Sequence, residues 1–262
     1  AAILEGNYQI DFLSKNLSEN IDTNHLYYSP LGVALLITPW NFPLSTVIRK
    51  MVPALVCGNS VVLKPSEFSS LTAIFLFEIL DQISIPKGVA NLVLGEGDIV
   101  GPVLMELSIV KIISFTGSTD TGELIHKHIG SSDVRYQAEM GGANALVIWE
   151  DADIEKAVEA TIASGMACAG QWCTGISKLV VHNNIYDSVI DSLVKAVNNI
   201  NVGDGSIPSV DMGPLNNLSQ FKKMKDYIDR AIQQGAEILS GGTEIESVKN
   251  KGYFFSPTLL GD

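Results

Sequence analysis

Apolar and polar positions change period repeatedly along the chain, and those changes predict its elements. Gly32–Thr38 reads Gly-Val-Ala-Leu-Leu-Ile-Thr, an unbroken apolar run closed by Pro39. A short run without alternation predicts a strand buried on both faces. Helical spacing follows from Leu44 to about Val56, with Gly58-Asn59 as its stop. Ser60–Leu63 is the next strand, ended by Lys64-Pro65. Ser69 or Ser70 is placed to cap a helix running to Gln82, and Pro86-Lys-Gly88 supplies a turn. Strand Asn91–Leu94, a helix over Asp98–Leu107, strand Lys111–Phe115 and a helix from Ser118 to Ile129 continue the series. Strands and helices alternating at this spacing predict right-handed βαβ units and a parallel sheet.

Beyond Gly141-Gly142 the pattern restarts. Ala145–Trp149 is strand-like, Asp153–Met166 is a helix capped by Asp151 or Asp153, and Lys178–His182 is a strand. Ile185–Asn198 and Leu218–Gln234 are amphipathic helices, and Glu237–Leu239 is a short strand. The Gly-, Pro- and Asp-rich stretch Asn201–Asn217 is expected to be a surface connection. Paired glycines let the chain change direction freely, so a domain junction is expected at Gly141-Gly142, dividing residues 1–140 from 141–262. The fold class expected is α/β, a parallel-sheet domain followed by a second α/β domain.

Composition narrows the function classes. The chain has 262 residues, 46% hydrophobic and 18% charged, which argues against disorder. Its greasiest stretches, Leu71–Leu80 and Gly32–Ile37, fall short of the roughly 18 apolar residues a spanning helix needs, so no membrane partner is expected. No leader pattern of a basic and then apolar segment opens the chain. The net charge is −12, spread evenly over both halves. Nucleic-acid binding needs clustered Lys and Arg and is not expected. Three cysteines, Cys57, Cys168 and Cys173, fit a reducing compartment and no disulfide framework. The chain begins Ala1-Ala2-Ile3 without Met and stops at Asp262 just after a strand-like run, so both ends are expected to lie within a larger protein.

Several residues can carry chemistry. Cys173, in Gly170-Gln-Trp-Cys-Thr-Gly175, follows a Gly-containing bend and can be a thiolate nucleophile; a free Cys is otherwise a small core residue. Glu139 closes Val134-Arg-Tyr-Gln-Ala138 ahead of Gly141-Gly142 and can serve as a general base with a raised pKa, or be a solvated loop carboxylate. Asn41 lies in Pro39-Trp-Asn-Phe-Pro43, directly after the first strand, where parallel sheets bind ligands; its amide can donate to an oxyanion or simply shape a turn. Lys64-Pro-Ser-Glu67 can grip ribose hydroxyls, or be an exposed ion pair worth little. Phe115-Thr-Gly-Ser-Thr-Asp-Thr-Gly122 runs from strand to helix, as a pyrophosphate site would.

Other motifs fail. Glu123 follows Gly122 where a P-loop needs Lys, and Gly95-Glu-Gly97 with Gly101 is one residue too long for the dinucleotide fingerprint. His126 and His128 point apart on a helix, Cys168 and Cys173 are spaced for neither a redox pair nor zinc, and no metal is expected. No Gly-x-Ser-x-Gly occurs.

Taken in order, Pro39-Trp-Asn-Phe-Pro43, Lys64-Pro-Ser-Glu67, Phe115-Thr-Gly-Ser-Thr119 with Gly122, Glu139-Met-Gly-Gly142 and Gly170-Gln-Trp-Cys-Thr174 resemble the motif series of the NAD(P)-dependent aldehyde dehydrogenases, from about residue 30 to Ser256-Pro-Thr258. The resemblance implies a Rossmann-like cofactor domain and a catalytic domain, both incomplete within these residues. It implies Cys173 as nucleophile, Glu139 as general base and Asn41 as oxyanion donor. Lys64 and Glu67 match the adenosine-ribose contacts, Gly117 and Ser118, with Gly122, the pyrophosphate turn, and Trp40 and Thr116 positions beside the nicotinamide end. NAD or NADP is the implied cofactor, with Glu67 leaning toward NAD. The implied reaction oxidises an aldehyde to an acid through a Cys173 thioester. A CoA-acylating relative, or a fragment kept only for binding, are the alternatives. A short stretch over Asn20–Ser29 resembles some succinate-semialdehyde dehydrogenases and suggests a semialdehyde substrate. A cytoplasmic homo-oligomer is expected. The chain departs from the family at Ala143, where Lys is usual, at Cys168, where Asn is usual, and at Lys178, where Arg is usual; the Glu-x-Phe-Gly-Pro motif expected after Pro257-Thr258 lies beyond Asp262.

Overall fold

The computed structural model describes residues 29–245 and 252–261, together with the short pieces 9–11, 20–21 and 24–25. The Asn20–Ser29 stretch falls largely outside them; within it, Asn20–Ile21 pairs antiparallel with Asn24–His25. The chain divides into two compact units, Ala1–Gly141 and Gly142–Asp262.

The first unit is built on five strands, β1 (Val33–Thr38), β2 (Ser60–Pro65), β3 (Ala90–Leu92), β4 (Val110–Gly117) and β5 (Arg135–Met140). All pair in parallel, in the order β3-β2-β1-β4-β5. Four helices connect them: α1 (Ser45–Val56), α2 (Ser70–Gln82), α3 (Gly97–Met105) and α4 (Thr119–Ile129). The α/β reading with a parallel sheet holds, and strand ends differ from the sequence expectation by only a few residues.

The unbroken apolar run of β1 is explained by its two neighbours and two covered faces. Ala34 and Leu36 pack in one core cluster with Val47 and Met51 of α1 and Ala73 of α2. Leu35 points the other way, joining Leu104 of α3 and Ile125 of α4. Side chains alternate across a strand, so adjacent residues serve opposite cores. Burying each such Leu contributes about 1.5–3 kcal/mol. The approach to β1 is fixed by Asn59, 7% exposed, whose Oδ1 accepts from the N–H groups of Leu31 (2.8 Å) and Gly32 (3.1 Å). Its Nδ2 donates to the Ala54 carbonyl at 3.1 Å, binding the end of α1 to the same point. Gly58, at φ +81°, makes the left-handed step that brings Asn59 there.

One capping expectation is corrected. Neither Ser69 nor Ser70 caps α2 through its side chain; both hydroxyls donate back to the Ser66 carbonyl. Ser66 is the residue that caps, its Oγ accepting from the Phe68 N–H at 3.4 Å at the start of the 3-10 turn Glu67–Ser69. Two turns share one start, and the serine nearest the strand takes the capping role.

In the second unit, β6 (Asn144–Ile148) and β7 (Ile176–Val181) pair in parallel around α5 (Ile154–Gly165), with Asp153 as its cap. Helices α6 (Tyr186–Asn198) and α7 (Leu218–Gln233) follow, and β8 (Glu237–Ser240) pairs antiparallel with β9 (Leu259–Gly261). The stretch expected to be only a surface connection does more: Val202 bridges Met212, and Met212 (7% exposed) and Leu215 (5%) are core residues. These two apolar side chains anchor a loop whose remaining composition is polar. Among the described residues no helix is long and apolar enough to cross a membrane.

Candidate functional site

The order β3-β2-β1-β4-β5 runs outward from β1 in both directions, and ligands bind beyond the carboxyl ends of strands where such an order reverses. Every candidate residue of the first unit lies at that edge. Register pairs Ile37 of β1 with Lys64 of β2 on one side and with Phe115 of β4 on the other. Thr116 of β4 stands beside Glu139 of β5, and Gly117 beside Met140. Trp40 and Asn41, both half-buried, follow β1 directly in a segment held between Pro39 and Pro43. The Asn41 Oδ1 accepts from the Phe42 N–H at 3.1 Å, which fixes how the amide is turned.

The turn from β4 into α4 has the features of a phosphate cradle. Ser118 is the N-cap, its Oγ accepting from the Thr121 N–H at 3.3 Å while its hydroxyl hydrogen goes to Thr121 Oγ1 at 2.8 Å. The two glycines of the motif leave room for close neighbours, a buried ring at Gly117 and a flexible side chain at Gly122. A Cβ on Gly117 would meet the Phe115 ring at 2.5 Å, and one on Gly122 would meet the Met140 Sδ at 2.5 Å. Backbone N–H groups at such a turn, with the positive end of the helix dipole, suit a pyrophosphate.

At the end of β2, Lys64 is not the exposed partner of a weak ion pair. Its side chain is 5% exposed, with Nζ 3.5 Å from Glu67 Oε2, while Glu67 is 41% exposed. A Cβ on Gly97 would lie 3.6 Å from the ammonium, so the cation sits at the N-terminal end of α3. A buried donor beside an accessible acceptor is a fit for paired ribose hydroxyls.

Glu139 is placed differently from its expectation. The sequence suggested a carboxylate at an apolar strand end; β5 is instead an outer strand of the sheet, and Glu139 is exposed. What stands near it was missed in the sequence. Lys50 of α1 donates to Ser114 Oγ at 2.8 Å, and Ser114 donates to Gln137 Oε1 at 2.7 Å. Burial pushes the Lys50 ammonium down to about 8, with the Glu139 charge opposing that shift and Arg49 adding to it. A signal for it existed, a lysine between Val47 and Met51, which both face the core.

Cys173 belongs to the second unit and is exposed. It follows no helix start; it is the second residue of a turn closed by the Gly175 N–H donating to the Trp172 carbonyl at 3.1 Å. Asn144 clamps that turn, its Nδ2 donating to the Cys173 carbonyl (2.8 Å) and the Gly175 carbonyl (3.0 Å). Gln171 holds it from the other end, giving a hydrogen to the Cys168 carbonyl and accepting one from the Asn216 N–H, both at 2.9 Å. Cys168 (φ +53°), Ala169 (+56°) and Gly170 (+71°) form three successive left-handed residues before it. Left-handed backbone costs a non-glycine residue roughly 1–2 kcal/mol, and such strain gathers at functional sites. Ala169 packs against the cluster formed by Leu215, Phe221, Ile228 and Phe255. A cavity of about 220 Å³ lies behind this loop, lined by Met166, Met212 and Met224 among others and not by Cys173. Asn144 and Gln171 act through backbone carbonyls and, for Gln171, the Asn216 N–H as well, which no sequence pattern announces.

The sequence matches the profile of the aldehyde dehydrogenase family over residues 8–262. The chain belongs to that family. Among its relatives, the 2,5-dioxopentanoate dehydrogenase of Saccharolobus solfataricus is 40% identical over 233 residues, 88% of this chain and 48% of the relative. The D-glyceraldehyde dehydrogenase (NADP(+)) of Picrophilus torridus is 38% identical over 236 residues, 89% of this chain and 48% of the relative. The crystal structure of betaine aldehyde dehydrogenase from Staphylococcus aureus in complex with NAD+ superposes with a TM-score of 0.93 at 34% identity, over 99% of this chain and 53% of that one. The chain thus spans about half the length of the curated relatives it matches.

Proposed function

We propose that this chain carries the coenzyme-binding and nucleophile-bearing parts of a cytoplasmic, homo-oligomeric NAD(P)-dependent aldehyde dehydrogenase. The observation that carries the reading is the alignment of Asn41, Lys64, Thr116–Ser118 and Glu139 along one carboxyl edge of a parallel sheet. In this reading residues 1–140 hold the coenzyme and 141–262 supply the nucleophile. Gly117, Ser118 and Gly122 receive the pyrophosphate, Lys64 and Glu67 the adenosine ribose, and Trp40 and Thr116 flank the nicotinamide end. Bound there, NAD(P)+ supplies the hydride acceptor.

The Cys173 thiolate attacks the aldehyde carbonyl, forming a thiohemiacetal. Asn41, with the Cys173 backbone N–H, donates to the oxyanion. Loss of hydride leaves a thioester, and covalent attachment divides one difficult step into two. Glu139 takes a proton from water as its oxygen bonds to the thioester carbon; the C–S bond then breaks and releases the acid. An aldehyde that also bears a carboxylate is the substrate class favoured, in keeping with the 2,5-dioxopentanoate named for one relative.

Cys173→Ala should abolish aldehyde oxidation while coenzyme affinity stays nearly unchanged. Substantial surviving turnover would overturn the assignment. Alkylation gives a second check, with Cys173 reacting much faster than the half-buried Cys57; equal rates would count against an activated thiol.

A further inference from the structure

Lys50 is a cation on the core side of α1, and its hydrogen bonding runs in one direction. An ammonium has only donors, so Ser114 must offer it a lone pair. The Ser114 hydrogen then has Gln137 Oε1 as its acceptor, at 2.7 Å, and Ser114 itself is 7% exposed. Bonds linked head to tail in this way polarise one another. Ser114 and Gln137 are register partners, as are Thr116 and Glu139 two residues on. Alternate residues of a strand share a face, so Gln137 and Glu139 project to the side from which Lys50 approaches. The charged groups acting on Lys50 are Glu139 from β5 and Arg49 from its own helix.

We propose that Ser114 and Gln137 are positioning residues for the candidate base, anchoring the Lys50 ammonium on the Glu139 face of β5 so that the base works in a field set by that cation. The proposal rests on Glu139 being the base. A fixed positive charge on that face sets the field in which a water gives up its proton during thioester hydrolysis. When Lys50 deprotonates, the field is lost. The alkaline limb of the thioester-hydrolysis step therefore reports the Lys50 titration.

The test is the pH profile of that step in the intact enzyme, followed after mixing aldehyde with the coenzyme-loaded protein. Ser114→Ala removes the acceptor of the ammonium and should move the alkaline limb down by about half to one pH unit, the worth of one hydrogen bond. Gln137→Glu adds a carboxylate and should move it up by a similar amount. NMR of lysine labelled at its terminal carbon, without coenzyme, should show the Lys50 titration moving in the same two directions. Coenzyme affinity and the Cys173 alkylation rate should not change in either variant. A limb that stays put, or moves the same way in both, overturns the proposal. Glu139→Gln separates the two failures. If it hydrolyses the thioester normally, the reading of Glu139 as base falls; if it stalls while the Ser114 and Gln137 variants leave the limb in place, only the positioning role falls.

Discussion

Adding one methyl group at each of two glycines should have unequal effects, because the obstacles differ. On Gly117 the new Cβ would sit 2.5 Å from Cζ and 2.9 Å from Cε2 of the Phe115 ring. That ring is 2% exposed and packed among Leu35, Ile113 and Ile125, so it has nowhere to go. Overpacking of this kind costs about 1–3 kcal/mol. On Gly122 the first obstacle is the Met140 Sδ, at 2.5 Å, followed by Phe115 Cε1 at 3.3 Å. Met140 is 39% exposed and can swing its flexible chain outward. Gly122 also lies inside α4, where alanine is favoured over glycine by about 0.8–1.0 kcal/mol. Gly117→Ala should therefore be clearly destabilising and Gly122→Ala should fall within about 1 kcal/mol of the parent. Urea unfolding followed by circular dichroism measures both; with slopes of about 1–3 kcal/mol per molar, Gly117→Ala should lower the midpoint by several tenths of a molar or more. A neutral Gly117→Ala, or a Gly122→Ala that is the worse of the two, would refute the distinction between a rigid and a yielding neighbour.

Three further outcomes follow from other contacts. Asn144→Ala frees the Cys173 and Gly175 carbonyls and should lower kcat by roughly 10- to 100-fold, as a 1 Å misplacement can, with coenzyme affinity unchanged; a parent-like kcat would show the clamp to be dispensable. Glu67→Gln removes the accessible charge beside the ribose position while Lys64 stays buried; kcat/KM for NADP+ relative to NAD+ should rise about tenfold, and an unchanged ratio would show that Glu67 does not set coenzyme choice. Lys50 has a folded pKa of about 8 against 10.5 in the unfolded chain, so between those values the unfolded state binds more protons and stability rises with pH. The parent should gain stability relative to Lys50→Met between pH 7 and pH 10, as read from paired urea melts; a constant difference would mean that Lys50 titrates normally.

What the sequence made legible was whatever local chemistry decides. The run Val33–Thr38 announced a strand with two covered faces because nothing polar interrupts it, and Ser118 and Asp153 announced helix starts because a cap needs only its own third neighbour. Ser69 and Ser70 misled because three nearby serines compete for one helix start. The motif residues at the strand ends were legible through their order along the chain. Lys50, Asn144 and Asn59 were not, since their partners lie 64, 29 and 28 residues away. Glu139 was read as closing an apolar strand, but no window of sequence reveals that a strand lies at the outside of a sheet.

The strand order also sets a timetable for synthesis. β1 pairs with β2 over a short gap, Val33 meeting Ser60, but its other neighbour begins with Val110, 77 residues after Val33. At roughly 5–20 residues per second, the ribosome needs about 4–15 s to cross that distance. Until α3 is made near the end of that interval Leu35 has neither α3 nor α4 to cover it, while Ala34 and Leu36 can pack beneath α1 and α2 once these emerge. The most apolar strand of the sheet therefore waits half-dressed, with one edge and one face open to any passing chaperone or to a neighbouring nascent chain.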